Sequence, residues 1–240
     1  MIRVGITGQS GFIGGTLYRL LRITEHIKCV DFHRDYFASP EALAGFVRRC
    51  DSIVHLAAVS RHPDGERLFQ TNLQLTERLL AAARATGFRG AIYLGSTTHE
   101  AKEQPYHASK RASRARLEAW AAETGGRCTT LLMANTFGPG SRPFYNSVVS
   151  TFCRQCARRQ PCTVTGDSLL ELIYVDDLVR AIRDLLLTPP DSPAVTIAAT
   201  DRLTVSALAA KLQAFAAAAD KPVLHGRFDA ALFNTFASYR

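Results

Sequence analysis

Met1-Ile2-Arg3-Val4-Gly5-Ile6-Thr7-Gly8-Gln9-Ser10-Gly11-Phe12-Ile13-Gly14 opens the chain with a short apolar, β-branched run, three glycines at regular spacing and the first residues of a helix-period segment. A strand that turns on glycines into a helix presents backbone N–H groups at a helix N-terminus, where they can meet a pyrophosphate. A Cβ at Gly8 or Gly11 would obstruct the turn and the approach of the phosphates, and one at Gly14 would push the helix off the sheet. Gly8, Gln9, Ser10, Gly11, Phe12, Ile13 and Gly14 are therefore the candidate phosphate-binding residues. The competing reading is a tight βα turn with no ligand.

The same alternation continues outward. Ile2 to Ile6, Ile27 to Phe32, Ser52 to Leu56, Ala91 to Leu94 and Cys128 to Met133 read as strands. Phe12 to Leu21, Pro40 to Arg49, Gly65 to Thr86 and Tyr106 to Glu123 read as helices between them. An order βαβαβαβαβ calls for a parallel sheet covered on both faces, so the expected fold class is α/β, a doubly wound parallel sheet of Rossmann type. After the turn-rich Gly138-Pro-Gly-Ser-Arg-Pro143 the spacing predicts a helix near Asn146 to Arg159, a strand near Cys162 to Thr165 and a helix from Asp176 to Leu187. A strand near Val195 to Ala198 and an alanine-rich helix from Thr204 to Ala219, with Thr204 as N-cap, complete the reading. The expected organisation is a dinucleotide-binding core over 1–137 and, over 138–240, a small C-terminal substrate-binding lobe with a segment returning to the core.

Composition agrees with a folded globular chain. The 240 residues are 47% hydrophobic and 21% charged, with mean hydropathy −0.02. No stretch has the length and apolarity of a membrane span, and the N-terminus has no positively charged lead or cleavage site, so a cytoplasmic protein is expected. Cys29, Cys50, Cys128, Cys153, Cys156 and Cys162 then read as reduced thiols. Only three of them gather and no second C-x-x-C pairs with Cys153-x-x-Cys156, so no metal is expected. The net charge of +8 suits an anionic partner. Basic residues are spread along the chain without interleaved aromatics, which argues for a small diphosphate ligand rather than nucleic acid.

The end of the second strand normally separates NAD from NADP, since a carboxylate there binds ribose hydroxyls and a cation accommodates a 2′-phosphate. The text is Asp31-Phe32-His33-Arg34. Asp31 can serve as the ribose ligand. If Phe32 holds that position instead, His33 and Arg34 face the phosphate, and this second placement predicts a preference for NADP(H), with NAD(H) also accepted.

Tyr106-His-Ala-Ser-Lys110 sets a phenol and an ammonium four residues apart on one helix face. A nearby cation favours the phenolate of a tyrosine, whose ordinary pKa is about 10, and so allows acid–base work near neutral pH. Upstream, Ala91-Ile-Tyr-Leu-Gly-Ser-Thr-Thr98 ends in hydroxyls at the carboxyl edge of the sheet. Thr97 or Ser96 can hydrogen-bond a reacting oxygen there, or simply cap the strand. His55 reads as a packing residue at a strand end rather than a base. His99 and His107 have no spacing that assigns them roles.

These residues resemble the extended short-chain dehydrogenase/reductase superfamily, the NAD-dependent epimerase/dehydratase group. The likeness rests on Thr7 to Gly14, Asp51-Ser-Ile-Val-His-Leu-Ala-Ala58, Ser96-Thr97, Tyr106 to Lys110, Asn135-Thr-Phe-Gly-Pro139 and Tyr174-Val-Asp-Asp177, in that order. A narrower likeness is to the reductase domain of the CapF group of capsular polysaccharide enzymes. It is carried by Phe32-His-Arg34, the short run from Thr97 to Tyr106, Tyr145 to Cys153 and Leu232 to Tyr239. That resemblance implies a catalytic set of Thr97 to position a carbonyl, Tyr106 to donate the proton and Lys110 to hold Tyr106 and the nicotinamide ribose. It implies that Leu56, Ala57 and Ala58 line the cofactor channel together with Ser96, and that Asn135, Asn146 and Arg154 approach a nucleotide sugar. Arg154 and Arg158 can meet the diphosphate from the small lobe, but the preferred reading of the pair is a solvated helix face. The sequence departs from the family at Leu132, where an arginine is often found, and in the Leu169-Leu-Glu-Leu-Ile173 lead into Tyr174.

The activity so implied is NAD(P)H-dependent reduction of a nucleotide-linked keto sugar, with C4 of a UDP-4-keto-6-deoxy-N-acetylhexosamine in surface polysaccharide synthesis as the expected substrate. Relatives of this kind carry a C-terminal cupin that epimerises the sugar; this chain stops where that domain would begin, so a separate cupin-type epimerase is an expected partner. Superfamily habit implies a homodimer through the helices beginning near Gly65 and Tyr106. The competing functions are an epimerase or dehydratase with recycled NAD, and a non-catalytic NADP-binding sensor.

Overall fold

The computed structural model describes residues 1–218 and 222–240; Ala219, the expected end of the alanine-rich helix, lies outside the described residues. The chain divides into two compact units. Residues 1–133 and 179–197 form the first, and residues 134–178 and 198–240 form the second.

The first unit is an α/β layer built on six parallel strands: β1 (Ile2–Thr7), β2 (Ile27–Val30), β3 (Ser52–His55), β4 (Ala91–Thr97), β5 (Arg127–Met133) and β8 (Ala194–Ile197). Their order is β2-β1-β3-β4-β5-β8. The helices between them are α1 (Phe12–Arg22), α2 (Pro40–Arg48), α3 (Gly65–Ala85) and α4 (Pro105–Thr124), with a 3-10 turn at Arg34–Ala38. Strand registers such as Gly5 opposite Ile53, Ile53 opposite Ile92 and Ile92 opposite Cys128 stack apolar residues across the sheet. Val4, Ile6, Ile53, Val54, Ile92 and Leu131 are each at most 1% exposed, as expected of strands covered on both faces. One face packs Phe46, Val47, Leu79, Ala83, Leu117 and Trp120 into a single cluster. Helix α4 starts with Pro105 at its first turn and stops at Gly125, whose φ of 71° is the left-handed C-cap that glycine adopts without strain.

Two strand ends of this sheet differ from the reading of the sequence by two residues or more. β2 stops at Val30, two residues short of Phe32, because its parallel ladder with β1 ends at Gly5 opposite Val30. The Phe32 N–H then donates to Gln9 Oε1 at 3.1 Å, and its ring enters the aromatic cluster with Tyr36, Phe37 and Phe46. β4 runs three residues beyond Leu94, since β5 continues to pair with it as far as Thr97 opposite Met133.

The second unit holds β6 (Asn135–Phe137), α5 (Val148–Ala157), β7 (Leu169–Tyr174), β9 (Asp201–Thr204), α7 (Val205–Ala217) and α8 (Gly226–Ala237); the helix α6 (Val175–Leu187) begins here, and the division between units falls within it. β7 pairs in parallel with β6 and antiparallel with β9. The expected strand at Cys162 to Thr165 does not form, and those residues lie in the connection from α5 to β7. Leu169–Tyr174 is the strand instead, because it has ladder partners on both edges and buries Leu172 and Ile173. Helix α5 begins at Val148 rather than Asn146, since Ser147 Oγ caps it by accepting from Ser150 N at 3.3 Å. Its buried face, Val149, Phe152, Cys153 and Cys156, joins Leu208, Leu212, Leu232 and Phe236 in a separate core. Among the described residues no helix is long and apolar enough to cross a membrane.

Candidate active site

The glycine turn sits at the carboxyl end of β1. Gly8 has φ +79°, and a Cβ there would lie 2.8 Å from Ala57 N, so only glycine lets β1 turn this close to the end of β3. A Cβ on Gly14 would lie 2.2 Å from Gly8 O. The obstacle at Gly14 is thus the turn's own carbonyl, more immediate than the sheet surface anticipated from the sequence. Gly11 N donates to Gly8 O at 2.9 Å and Gly15 N to Gly11 O at 2.7 Å, which closes the turn into α1. Gly11 provides no side-chain cap and the first turn of α1 has no acidic residue. Its N-terminal amides and positive dipole end therefore fit a pyrophosphate, and the space that a Cβ would fill is the cradle a dinucleotide needs. Gln9 is held by its bond to Phe32 N, while Ser10 and Gly11 are exposed and Phe12 and Ile13 half-buried.

At the second strand, Asp31 accepts a hydrogen bond from Tyr18 OH at 2.5 Å, on a surface cavity of about 520 Å³ lined by Tyr18, Arg22, Lys28 and Cys29. Phe32 is in the core, and His33 and Arg34 are exposed where the 3-10 turn begins. Leu56, Ala57 and Ala58 follow β3 and are half-buried, with Leu56 N bonded to Thr7 O and Ala57 N 3.4 Å from Thr7 Oγ1.

Helix α4 brings Tyr106 and Lys110 together, with Lys110 Nζ 5.7 Å from the centre of the Tyr106 ring. Lys110 is 5% exposed, and burial pushes its ammonium down to about 8, an effect that the negative charge of Glu100 opposes. Thr97 Oγ1, at the end of β4, accepts from His99 N at 3.1 Å and remains half-buried. Ser96 is buried and its hydroxyl donates to Glu100 Oε1 at 2.5 Å; Arg114 holds the other oxygen of Glu100 at 3.3 Å. The arrangement offers a phenol beside a buried cation, with hydroxyls at the adjoining strand end: a proton-donating group for a carbonyl or hydroxyl.

A buried polar network that sequence reasoning passed over surrounds this pair. Asn72 on α3 accepts from Val59 N at 2.7 Å through Oδ1 and donates through Nδ2 to Val59 O at 2.9 Å and Ser109 Oγ at 3.0 Å. Ser109 Oγ donates to Tyr106 O at 2.7 Å. Thr76 donates to Ser113 Oγ at 2.9 Å. The signal that could have found it is two pairs of polar residues, Asn72 with Thr76 and Ser109 with Ser113, each at i, i+4 on the apolar stripe of its helix.

In the second unit, Asn135 is exposed on β6 and Asn146 is exposed just before Ser147. Arg154 NH1 donates to Tyr239 O at 3.1 Å, so this guanidinium ties α5 to the residues following α8.

Fold and site together define a dinucleotide-binding protein of the doubly wound class that carries both a glycine turn after β1 and a tyrosine–lysine pair on α4. The chain belongs to the NAD dependent epimerase/dehydratase family, whose model matches residues 4–198. Among curated proteins it is similar to the UDP-2-acetamido-2,6-beta-L-arabino-hexul-4-ose reductase of Pseudomonas aeruginosa, 32% identical over 77% of this chain and 50% of the relative. It is also similar to the GDP-6-deoxy-D-mannose reductase of Pseudomonas aeruginosa, 29% identical over 65% of this chain and 59% of the relative. The chain thus spans about half the length of the curated relatives it matches. Among solved structures, the capsular polysaccharide assembling protein CapF of Staphylococcus aureus superposes with TM-score 0.84 at 28% identity, covering 100% of this chain and 66% of that one. RMD of Pseudomonas aeruginosa complexed with NADPH shares the fold at TM-score 0.84 and 22% identity, covering 100% of this chain and 99% of that one.

Proposed function

We propose that the chain is a nicotinamide-dependent reductase of a nucleotide-linked keto sugar, with the dinucleotide held at the glycine turn of the first unit. The observation that carries the reading is the Tyr106–Lys110 pair: a phenol next to an ammonium that burial holds near its deprotonation point. Bound in the Gly8 to Gly14 cradle, a dihydronicotinamide would supply the hydride for the keto carbon. Tyr106 donates its proton to the keto oxygen, and the Lys110 cation stabilises the phenolate left behind. Thr97 orients the carbonyl, and the backbone amides at the start of α1 hold the pyrophosphate. Leu56, Ala57, Ala58 and Ser96 line the cofactor side of the pocket.

The cofactor is NADP(H) in preference to NAD(H). In support, the carboxylate of Asp31 is engaged by Tyr18 and Phe32 is committed to the core, which leaves His33 and Arg34 as the exposed groups for a 2′-phosphate. The substrate is a UDP-4-keto-6-deoxy-N-acetylhexosamine reduced at C4, a reading supported by the name of the 32%-identical reductase and by the net charge of +8, which suits a diphosphate. Asn135 and Asn146 are its proposed contacts. Arg154 joins them only if its bond to Tyr239 yields. A cupin-type epimerase and a second copy of the chain are the partners proposed with this reading.

The test mixes purified protein with that keto sugar, freshly generated, and follows NADPH and NADH absorbance separately, with Tyr106→Phe as control. Oxidation that favours NADPH and collapses in the variant supports the reading. Cofactor binding without consumption of either dinucleotide removes it and favours an epimerase or dehydratase with recycled NAD, or a sensor.

A further inference from the structure

His55 ends β3 in the middle of the sheet, 1% exposed, with the Phe37 ring covering one side at a centroid distance of 6.4 Å. Its Nδ1 lies 2.6 Å from Thr7 Oγ1 and its Nε2 3.2 Å from Thr76 Oγ1. The neighbours fix which nitrogen carries the proton. Thr7 Oγ1 already receives the Ala57 N–H, so its own hydrogen is free for Nδ1. Thr76 gives its hydrogen to Ser113 Oγ or Asn72 O, so it receives one from Nε2–H. Every hydrogen from the Ala57 N–H through Thr7 and His55 to Thr76 then has an acceptor, and the arrangement requires a neutral imidazole.

This series runs from the residue before the glycine turn to α4, which it reaches at Ser113, three positions past Lys110. The second branch, Asn72 to Ser109 to Tyr106 O, reaches the same helix on the other side of Lys110. Thr7, His55, Asn72, Thr76, Ser109 and Ser113 are each at most 3% exposed, so no water competes for these bonds.

We propose that His55 is a positioning residue for the Tyr106–Lys110 pair: as a neutral link between Thr7 and Thr76 it locks α3 and α4 to the carboxyl ends of β1 and β3, and so sets the depth of the pair beside the dinucleotide turn. The charged group facing His55 is Lys110 on α4, and Glu100 faces Lys110 in turn. Burial and the Lys110 charge push His55 down to about 3, so it keeps the neutral form the hydrogen-bond directions demand over the whole working range. A histidine that merely filled space would be replaceable by an apolar ring without moving the chemistry. This inference rests on the reading of Tyr106 and Lys110 as the proton-donating pair.

The experiment compares His55→Phe, His55→Gln and Thr76→Val with the parent chain. It measures thermal unfolding, NADPH affinity, kcat and KM against pH with the keto sugar, and the titration of Lys110 Nζ by NMR in lysine-labelled protein. His55→Phe and Thr76→Val are expected to keep NADPH affinity within about three-fold and to lose roughly 10- to 100-fold in kcat, the scale of a small misplacement of reacting groups. Their alkaline limb and the Lys110 titration move together, and His55→Gln, whose amide can still donate to Thr76, recovers part of the loss. If His55→Phe fails to fold, the isosteric Thr76→Val decides the outcome. Folded variants with the parent's kcat, pH profile and Lys110 titration would overturn the proposal. Should the parent itself show no reductase activity, the reductase reading fails, while the Lys110 titration still decides the positioning role.

Discussion

Ser96 Oγ donates to Glu100 Oε1 at 2.5 Å while Arg114 holds Glu100 Oε2 at 3.3 Å, so the carboxylate next to the proton-donating pair is clamped from a strand end and from α4. Glu100 raises the pKa of Lys110 against the larger lowering effect of burial. Replacing it by glutamine removes that support, and Lys110 loses its proton at lower pH. Glu100→Gln should therefore cost about three- to ten-fold in kcat at pH 8, where the ammonium is half lost already, and much less at pH 6.5. Superimposable kcat–pH profiles for variant and parent would count against Glu100 as a support of that cation.

Lys110 should be a stability cost. Its folded pKa of about 8 lies below the ordinary value of 10.5, so the unfolded chain binds the extra proton between those values and stability rises with pH across that window. Below pH 8 the penalty is present in full, on the order of 3 kcal/mol for a displacement of this size. Lys110→Met should thus unfold at higher urea than the parent at pH 7, with the gap closing towards pH 10, and should lack turnover. A variant less stable than the parent at pH 7 would mean that the buried ammonium is better paired than its surroundings indicate.

Cofactor choice is predicted to hinge on two exposed side chains after β2, Asp31 and Arg34. Arg34→Ala should weaken NADPH binding about ten-fold and leave NADH nearly unchanged, because only the 2′-phosphate loses a charge-assisted bond. Tyr18→Phe releases the carboxylate of Asp31 and should improve NADH binding relative to NADPH. Equal losses for both dinucleotides in Arg34→Ala would place the 2′-phosphate elsewhere.

Asn72→Ala should destabilise the fold by about 2–4 kcal/mol, since it removes both partners of the half-buried Val59 N–H and C=O and the donor to Ser109 Oγ. Thermal unfolding and hydrogen exchange at Val59 read the effect. An unchanged Tm with a protected Val59 amide would show that the loop after β3 is held by other contacts.

The six-stranded sheet is legible in the sequence because parallel strands buried on both faces read as continuous apolar runs, and its helices carry clear periodicity. The second sheet is not. Cys162 to Thr165 has the β-branched composition of a strand but pairs with no strand among the described residues, whereas Asn135–Phe137 and Asp201–Thr204 have weak local preference and become strands through the ladder on β7. Helix α8 carries Phe228, Leu232 and Phe236 at i, i+4 spacing, a period that the reading of the sequence did not assign to a helix. At the site, Tyr106 and Lys110 declare themselves by spacing on one helix. Glu100 does not, because it sits in a turn where period says nothing, and the role of His55 depends on two threonines, one 48 positions before it and one 21 after.

Strand β8 reaches the first sheet late in synthesis. Its residues pair with β5 only after residues 134–193 have been made, so the outer edge of β5, from Thr130 to Met133, waits bare on the nascent chain while much of the second unit emerges. An apolar edge left open that long is a template for pairing with another nascent chain. Ribosome-bound chains halted before Ala194 should need chaperone cover that chains released after Ile197 no longer do.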